Sequence, residues 1–217
     1  MKQFTKKEII KILQISAKKY NENLLNKNIM FVFEDKQTGE ISYIETVFND
    51  YNFMHLTGIK YIKGASEFFK DCIRNKISEN NIEIKNPVFT KLKLEVLENI
   101  VSINKSAKKI GTYDNNKIML KIEKVVGNTH CSIGFSNIIQ NNKKLKYYYP
   151  KTLLQEAFKK NVIKENKVIA IFSKSKHDKL YQEVTYISNK ISLDMLLKEK
   201  VPEELRMKIS IIKREKL

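Results

Sequence analysis

The stretch 117–149, KIMLKIEKVVGNTHCSIGFSNIIQNNKKLKYYY, decides the fold class. Apolar and polar residues alternate over Lys117–Val125 and again over His130–Ser136, and Lys144–Tyr149 is aromatic and β-prone, so the stretch predicts successive strands. Upstream the period is different. Thr5-Lys6-Lys7-Glu8 has the form of a capping box, and Ile9, Leu13, Ala17, Tyr20 and Leu24 follow at helical spacing, predicting a helix over about residues 5–26. Ile29–Phe33 and Ile41–Val47 then read as a hairpin around the turn Asp35–Gly39. Two more helices are expected. One is capped by Ser66, with Phe69, Cys72, Ile73 and Ile77 as its apolar face. The other spans 88–104 with Phe89, Leu92, Val96, Leu97 and Ile100 inward.

Beyond Tyr149, Pro150 precedes an expected short helix over Thr152–Lys159. Val168–Phe172 reads as a buried strand and Lys179–Ser188 as its partner. In the tail, Ser192 can cap a helix to Leu197, and Pro202 can start another over Glu203–Lys208. Helices and a hairpin come first and strands afterwards, which is the order of an α+β fold with a curved antiparallel sheet rather than of βαβ alternation. We therefore expect one α+β domain over 1–188 and a short, loosely packed helical C-terminal appendage over 189–217.

The chain has 217 residues, enough to bury a core, and a formal net charge of +17. That sign disfavours a nucleic-acid mimic or a cationic partner, and points to polyanions. Only Arg74, Arg206 and Arg214 are arginines; the other basic residues are lysines, and with 29 Ile and 21 Asn they give the composition an AT-rich genome writes into any protein. A lysine-rich surface and a real polyanion site are both compatible with the total. No apolar run is long enough for a membrane span, and no secretory h-region opens the chain, so a cytoplasmic setting is expected. Cys72 and Cys131 form no CxxC pair, and His55, His130 and His177 are scattered, so no metal site and no cofactor are expected. Phosphate-loop, dinucleotide and serine-hydrolase motifs are absent.

RNA cleavage without metal needs only a base, an acid and cations or donors around the phosphate. His55-Leu56-Thr57-Gly58-Ile59-Lys60 offers an imidazole beside a turn-forming glycine; the alternative is a histidine hydrogen-bonded to backbone before a helix. Tyr113, after Ile110-Gly111-Thr112, is either a stacking ring or core. Ser173-Lys174-Ser175-Lys176, with Tyr181 and Thr185 on the next strand, is either a phosphate-facing hairpin or a solvated turn beside strand filler. Lys144, Lys146 and Tyr148 interleave charge and rings, as either a stacking platform or an ordinary strand.

Taken in order, Phe53-Met54-His55-Leu56-Thr57-Gly58-Ile59, Phe68-Phe69, the Lys91–Ile100 helix, Ile110–Tyr113, Tyr149-Pro150-Lys151-Thr152-Leu153-Leu154 and Ile169–Lys174 leading to Tyr181 resemble the phage-associated branch of the barnase–EndoU–colicin–RelE-like nuclease superfamily, over about residues 25–188. The resemblance implies helices followed by a curved antiparallel sheet, and a phage or mobile-element effector that cleaves RNA without metal by 2′-OH transesterification. It also implies roles: His55 as base or acid, Thr57 orienting it or a phosphate, Lys174 or Lys176 offsetting transition-state charge, and Tyr181 or Thr185 on the phosphate. Lys60, Tyr113, Lys144, Lys146 and Tyr148 would bind the nucleic acid. An antitoxin or immunity protein is the partner such an effector implies. A non-catalytic inhibitor engaging a host defence ribonucleoprotein, or an RNA-binding protein, is the alternative on the same scaffold.

Overall fold

A computed structural model describes residues 4–116, 120–189, 192 and 202–210. Helix α1 (Lys6–Asn23) begins at the expected capping box, with Thr5 Oγ1 accepting from the Glu8 amide and Glu8 Oε2 accepting from the Thr5 amide at 2.7 Å. Its stripe Ile9, Leu13, Ala17 and Tyr20 is buried. Strands β1 (Lys27–Glu34) and β2 (Ile41–Val47) pair antiparallel, Phe31 opposite Ile44, around a turn in which Asp35 Oδ1 accepts from the Gln37 and Thr38 amides. Then follow α2 (Asp50–Thr57), β3 (Ile59–Tyr61), α3 (Ala65–Ile73), β4 (Ile82–Ile84), α4 (Pro87–Ile100) and α5 (Ile103–Ser106). The second half is β5 (Lys109–Tyr113), β6 (Lys124–Gly127), β7 (Ser132–Gln140), β8 (Lys143–Leu154), a 3-10 turn at Phe158–Lys160, β9 (Val162–Ser175), β10 (Glu183–Ile187) and the short α6 (Glu203–Met207).

The α+β order is as the periodicity predicts. The large sheet runs β1-β2-β8-β7-β6-β5-β9-β10, and β1 also pairs with β9, so the hydrogen-bonded ladder closes on itself. One edge departs from the antiparallel expectation: β2 and β8 pair in parallel, Glu45 with Tyr147 and Thr46 with Tyr148. β3 and β4 form a separate ribbon.

The chain of β1 explains why 29–33 is an unbroken apolar run. Ile29, Phe31 and Phe33 join the core beneath the helices, while Met30 and Val32 join a second buried cluster with Ala170, Phe172, Tyr181 and Leu205 on the opposite face. A strand covered on both faces needs apolar residues at every position. In the main core Tyr20 meets Phe48, Phe53 and Phe69 edge-on, with ring centroids 5.3–6.1 Å apart.

Several expectations change. In place of the helix expected over Thr152–Lys159, β8 runs on to Leu154 and, after an irregular connection, a 3-10 turn follows at Phe158–Lys160. Pro150 lies opposite Phe135, next to a register shift between Gly134 and Phe135, where a residue without an amide proton is tolerated. The cap of α3 is Gly64, not Ser66. In α4 the buried residues are Thr90, Leu94, Leu97 and Ile100, and Phe89 faces outward, because Thr90 is packed against Gly58 and bonds its carbonyl, which turns the neighbouring Phe89 away from α2. The appendage is firmly seated where it is described: Leu205 is fully buried, Lys208 Nζ reaches Glu45 at 2.7 Å, and the Ser210 amide donates to Tyr181 O. Of the strand expected over Lys117–Val125, residues 120–123 are not in a strand and β6 begins only at Lys124; residues 117–119, and 193–197 of the helix expected from Ser192, fall outside the described residues.

Candidate active site

Helix α2 places His55 in its last turn. The helix stops there because Thr57 Oγ1 donates to Met54 O at 2.9 Å and accepts from the Ile59 amide at 3.1 Å, and Gly58 takes the left-handed conformation, φ 77°, at the C-cap. A side chain at Gly58 would also collide with α4, since its Cβ would lie 2.9 Å from Thr90 Oγ1. With that space open, Thr90 Oγ1 donates to Gly58 O at 3.1 Å and ties the end of α2 to α4.

The same clasp brings Lys93 of α4 under His55. Lys93 Nζ donates to His55 O at 3.2 Å and to Thr152 Oγ1, on β8, at 3.0 Å. No carboxylate pairs with it among the described residues, and burial pulls its ammonium down to about 8. His55 is solvent-accessible, yet its imidazole is held below the usual 6.5, first by partial burial and then by the charges of Lys151, Lys93 and Lys85. Lys151 neighbours Thr152 on β8 and lies 5.9 Å from the Tyr149 ring. Helices α2 and α4, strand β8 and the β4–α4 connection thus deliver an imidazole biased to its neutral form, a desolvated ammonium, a hydroxyl and the charges of two further lysines to one neighbourhood. This set can take one proton, give another and hold an anion.

The other residues expected at the site are engaged in other contacts. Among the described residues, no hydrogen bond or ion pair links His55 to Lys174 or Lys176. Lys174 pairs with Asn28 of β1, its Nζ donates to Lys179 O at 2.9 Å, and Lys176 is exposed in the β9–β10 turn. Thr152, by contrast, pairs with Gly134 of β7. Tyr181 is fully buried and donates to Glu45 Oε1 at 3.0 Å, and burial beside that carboxylate drives its phenol well above the usual range. Thr185 Oγ1 bonds Asn104 O and Ile171 O, and Thr57 is committed to the α2 cap. Lys60 is paired with Glu83 at 3.1 Å, Lys144 with Glu123 at 3.1 Å and Lys146 with Glu204 at 2.8 Å. Tyr113 is buried in a small cluster with Phe158, and Tyr148 is half-buried against the main core. A hollow of about 900 Å³ between the β1–β2 turn and β5, β6 and β9 contains Lys164, which pairs with Asp35, and Lys124, whose Nζ donates to Thr112 Oγ1 at 3.3 Å and whose ammonium burial holds below the usual lysine value.

Lys93, Thr152, Lys151 and Lys85 carry no signal as single residues in so lysine-rich a chain. The short motifs Lys91–Ile100 and Tyr149–Leu154 do contain three of them, and their joint presence in the ordered set is the clue that sequence offers.

Among known proteins, the model of the family described as phage-Barnase-EndoU-ColicinE5/D-RelE like nuclease4 matches residues 12–190. Searches of curated proteins and of solved structures give no significant match. The matched span contains most of α1, helices α2–α5, the whole sheet and the His55–Lys93 cluster, so the chain belongs to this phage-associated nuclease family and its general function is nuclease-like.

Proposed function

We propose that the protein is an endoribonuclease that cleaves RNA by 2′-OH transesterification at the His55–Lys93 cluster, without a metal ion. The observation that carries this reading is Lys93: a desolvated ammonium with no carboxylate partner among the described residues, bonded at 3.0 Å to Thr152 Oγ1 and at 3.2 Å to the backbone carbonyl of His55. His55, biased to its neutral form, accepts the 2′-OH proton. The 2′ oxygen attacks phosphorus, the P–O5′ bond breaks, and Lys93 gives its proton to the departing O5′. A group titrating at about 8 is still mostly protonated at neutral pH, yet gives up its proton more readily than an ordinary lysine. Lys151 and Lys85 offset the charge that gathers on the phosphorane, and Thr152 fixes the ammonium between its two acceptors. The products are a 2′,3′-cyclic phosphate and a 5′-hydroxyl. Among the described residues, no group of three His, Cys, Asp or Glu is placed to hold a metal ion, and the reading assigns no step to one.

The test is incubation of total RNA with the protein in EDTA, beside His55→Ala and Lys93→Met. Wild-type cleavage with 2′,3′-cyclic ends, lost in both variants, is expected. RNA left intact by the wild type, or cut equally by all three proteins, overturns the reading.

A further inference from the structure

Phe89 is an exposed aromatic ring. It is 59% exposed, the run Lys85–Val88 before it is exposed as well, and none of the ring contacts among the described residues involves it. Its surroundings are known from its neighbours. The next residue, Thr90, bonds Gly58 O, and a Cβ on Gly58 would lie 3.3 Å from Thr90 Cα, so this turn of α4 abuts the end of α2 just past His55. Lys85 is four residues before Phe89 and Lys93 four residues after it, and the charges of both lysines reach His55. Residues spaced i and i+4 share a helix face, with Cβ atoms about 5–6 Å apart, so Phe89 and Lys93 stand side by side.

An exposed ring flanked by cations matches the chemistry of a nucleotide, which carries a flat apolar base and an anionic phosphate on one short tether. We propose that Phe89 is the stacking platform for an unpaired base of single-stranded nucleic acid, with the adjoining phosphate among Lys93, Lys85 and Lys151. The proposal rests on the reading of the His55–Lys93 cluster as the nuclease site and adds the strandedness of the substrate. A duplex keeps its bases stacked on each other and offers none to Phe89, whereas a single strand exposes both faces.

The experiment measures fluorescence anisotropy of a labelled single-stranded DNA dodecamer and of a DNA hairpin duplex at low salt. DNA has no 2′-OH, so binding is read without cleavage. Phe89→Ala is expected to weaken single-strand binding about tenfold while leaving the duplex nearly unchanged, and Phe89→Trp to restore it. Phe89→Leu, which keeps apolar bulk without a ring, should behave like alanine. The exposed position lets these variants fold, which circular dichroism checks. Alanine or leucine variants that bind the single strand like wild type, or equal losses on both probes, overturn the proposal. Lys93→Met separates the two readings. If it weakens binding and Phe89→Ala does not, stacking alone fails; if Lys93→Met has no effect, or wild type does not bind the dodecamer, the site itself fails and the stacking proposal with it.

Discussion

Replacing Lys93 by methionine should remove cleavage without lowering stability in proportion, and the pH dependence of stability isolates why. In the fold Lys93 loses its proton at about 8 rather than at the usual 10.5, because burial penalises its charge. That difference corresponds to about 3 kcal/mol between the charged and neutral forms. The sign follows from proton counting. Between these two values the unfolded chain holds a proton on Lys93 that the folded chain does not, so folding stability rises with pH across the interval. Below pH 8 the fold carries the full penalty, partly offset by hydrogen bonds to His55 O and Thr152 Oγ1, typically about 0.5–1.5 kcal/mol each. Methionine keeps the stem, drops the charge and abolishes the linkage. Urea unfolding of both proteins from pH 7 to pH 10.5 should therefore show the wild type gaining about 3 kcal/mol relative to Lys93→Met, a difference in which the other lysines and tyrosines cancel. Stability curves that stay parallel over this range would refute the claim that Lys93 is desolvated. At pH 7 the variant should be about as stable as wild type, yet slower in RNA cleavage by roughly 10²–10⁴-fold, the loss expected on removing a general acid.

The cleavage rate of the wild type should rise through an apparent pKa below 6.5, as His55 loses its proton, and fall again near 8, as Lys93 loses its own; a rate–pH profile in cacodylate, Tris and borate buffers checks both limbs. Gly58→Ala places a Cβ 2.9 Å from Thr90 Oγ1 on a backbone with φ 77°, so it should cost about 1–3 kcal/mol in urea unfolding and slow cleavage by parting α2 from α4. Tyr181→Phe removes the 3.0 Å bond to Glu45 but leaves Lys208 on that carboxylate, so it should cost about 1–3 kcal/mol while leaving the cleavage rate well below the melting temperature unchanged. A rate loss on the scale of His55→Ala would instead return Tyr181 to the chemistry.

Much of the architecture was legible because it is written in local periodicity. The capping box at Thr5 and Glu8 sets the start of α1, and the unbroken apolar run around Phe31 marks a strand covered on both faces. Pro150 misled because its usual role, breaking a strand and opening a helix, is suspended at a bulge that only pairing with β7 creates. Phe89 misled because heptad-like spacing fits more than one rotation of a helix, and the contact of Thr90 with Gly58 selects the other one.

At the site the division is sharper. The sequence by itself determined that the chain is an α+β protein of a phage-associated nuclease type with an unusual histidine before a glycine turn. It could not choose among 38 lysines, because every lysine has the same charge and the same stem until it is folded. Tertiary structure made the choice by desolvation. Lys60, Lys144 and Lys146 found carboxylates and stayed in water, while Lys93 was drawn against the His55 carbonyl and Thr152 with no carboxylate partner among the described residues. A lysine turns from solvated charge to chemical group when burial lowers the cost of losing its proton, and burial is a property of the packed molecule that no local pattern encodes.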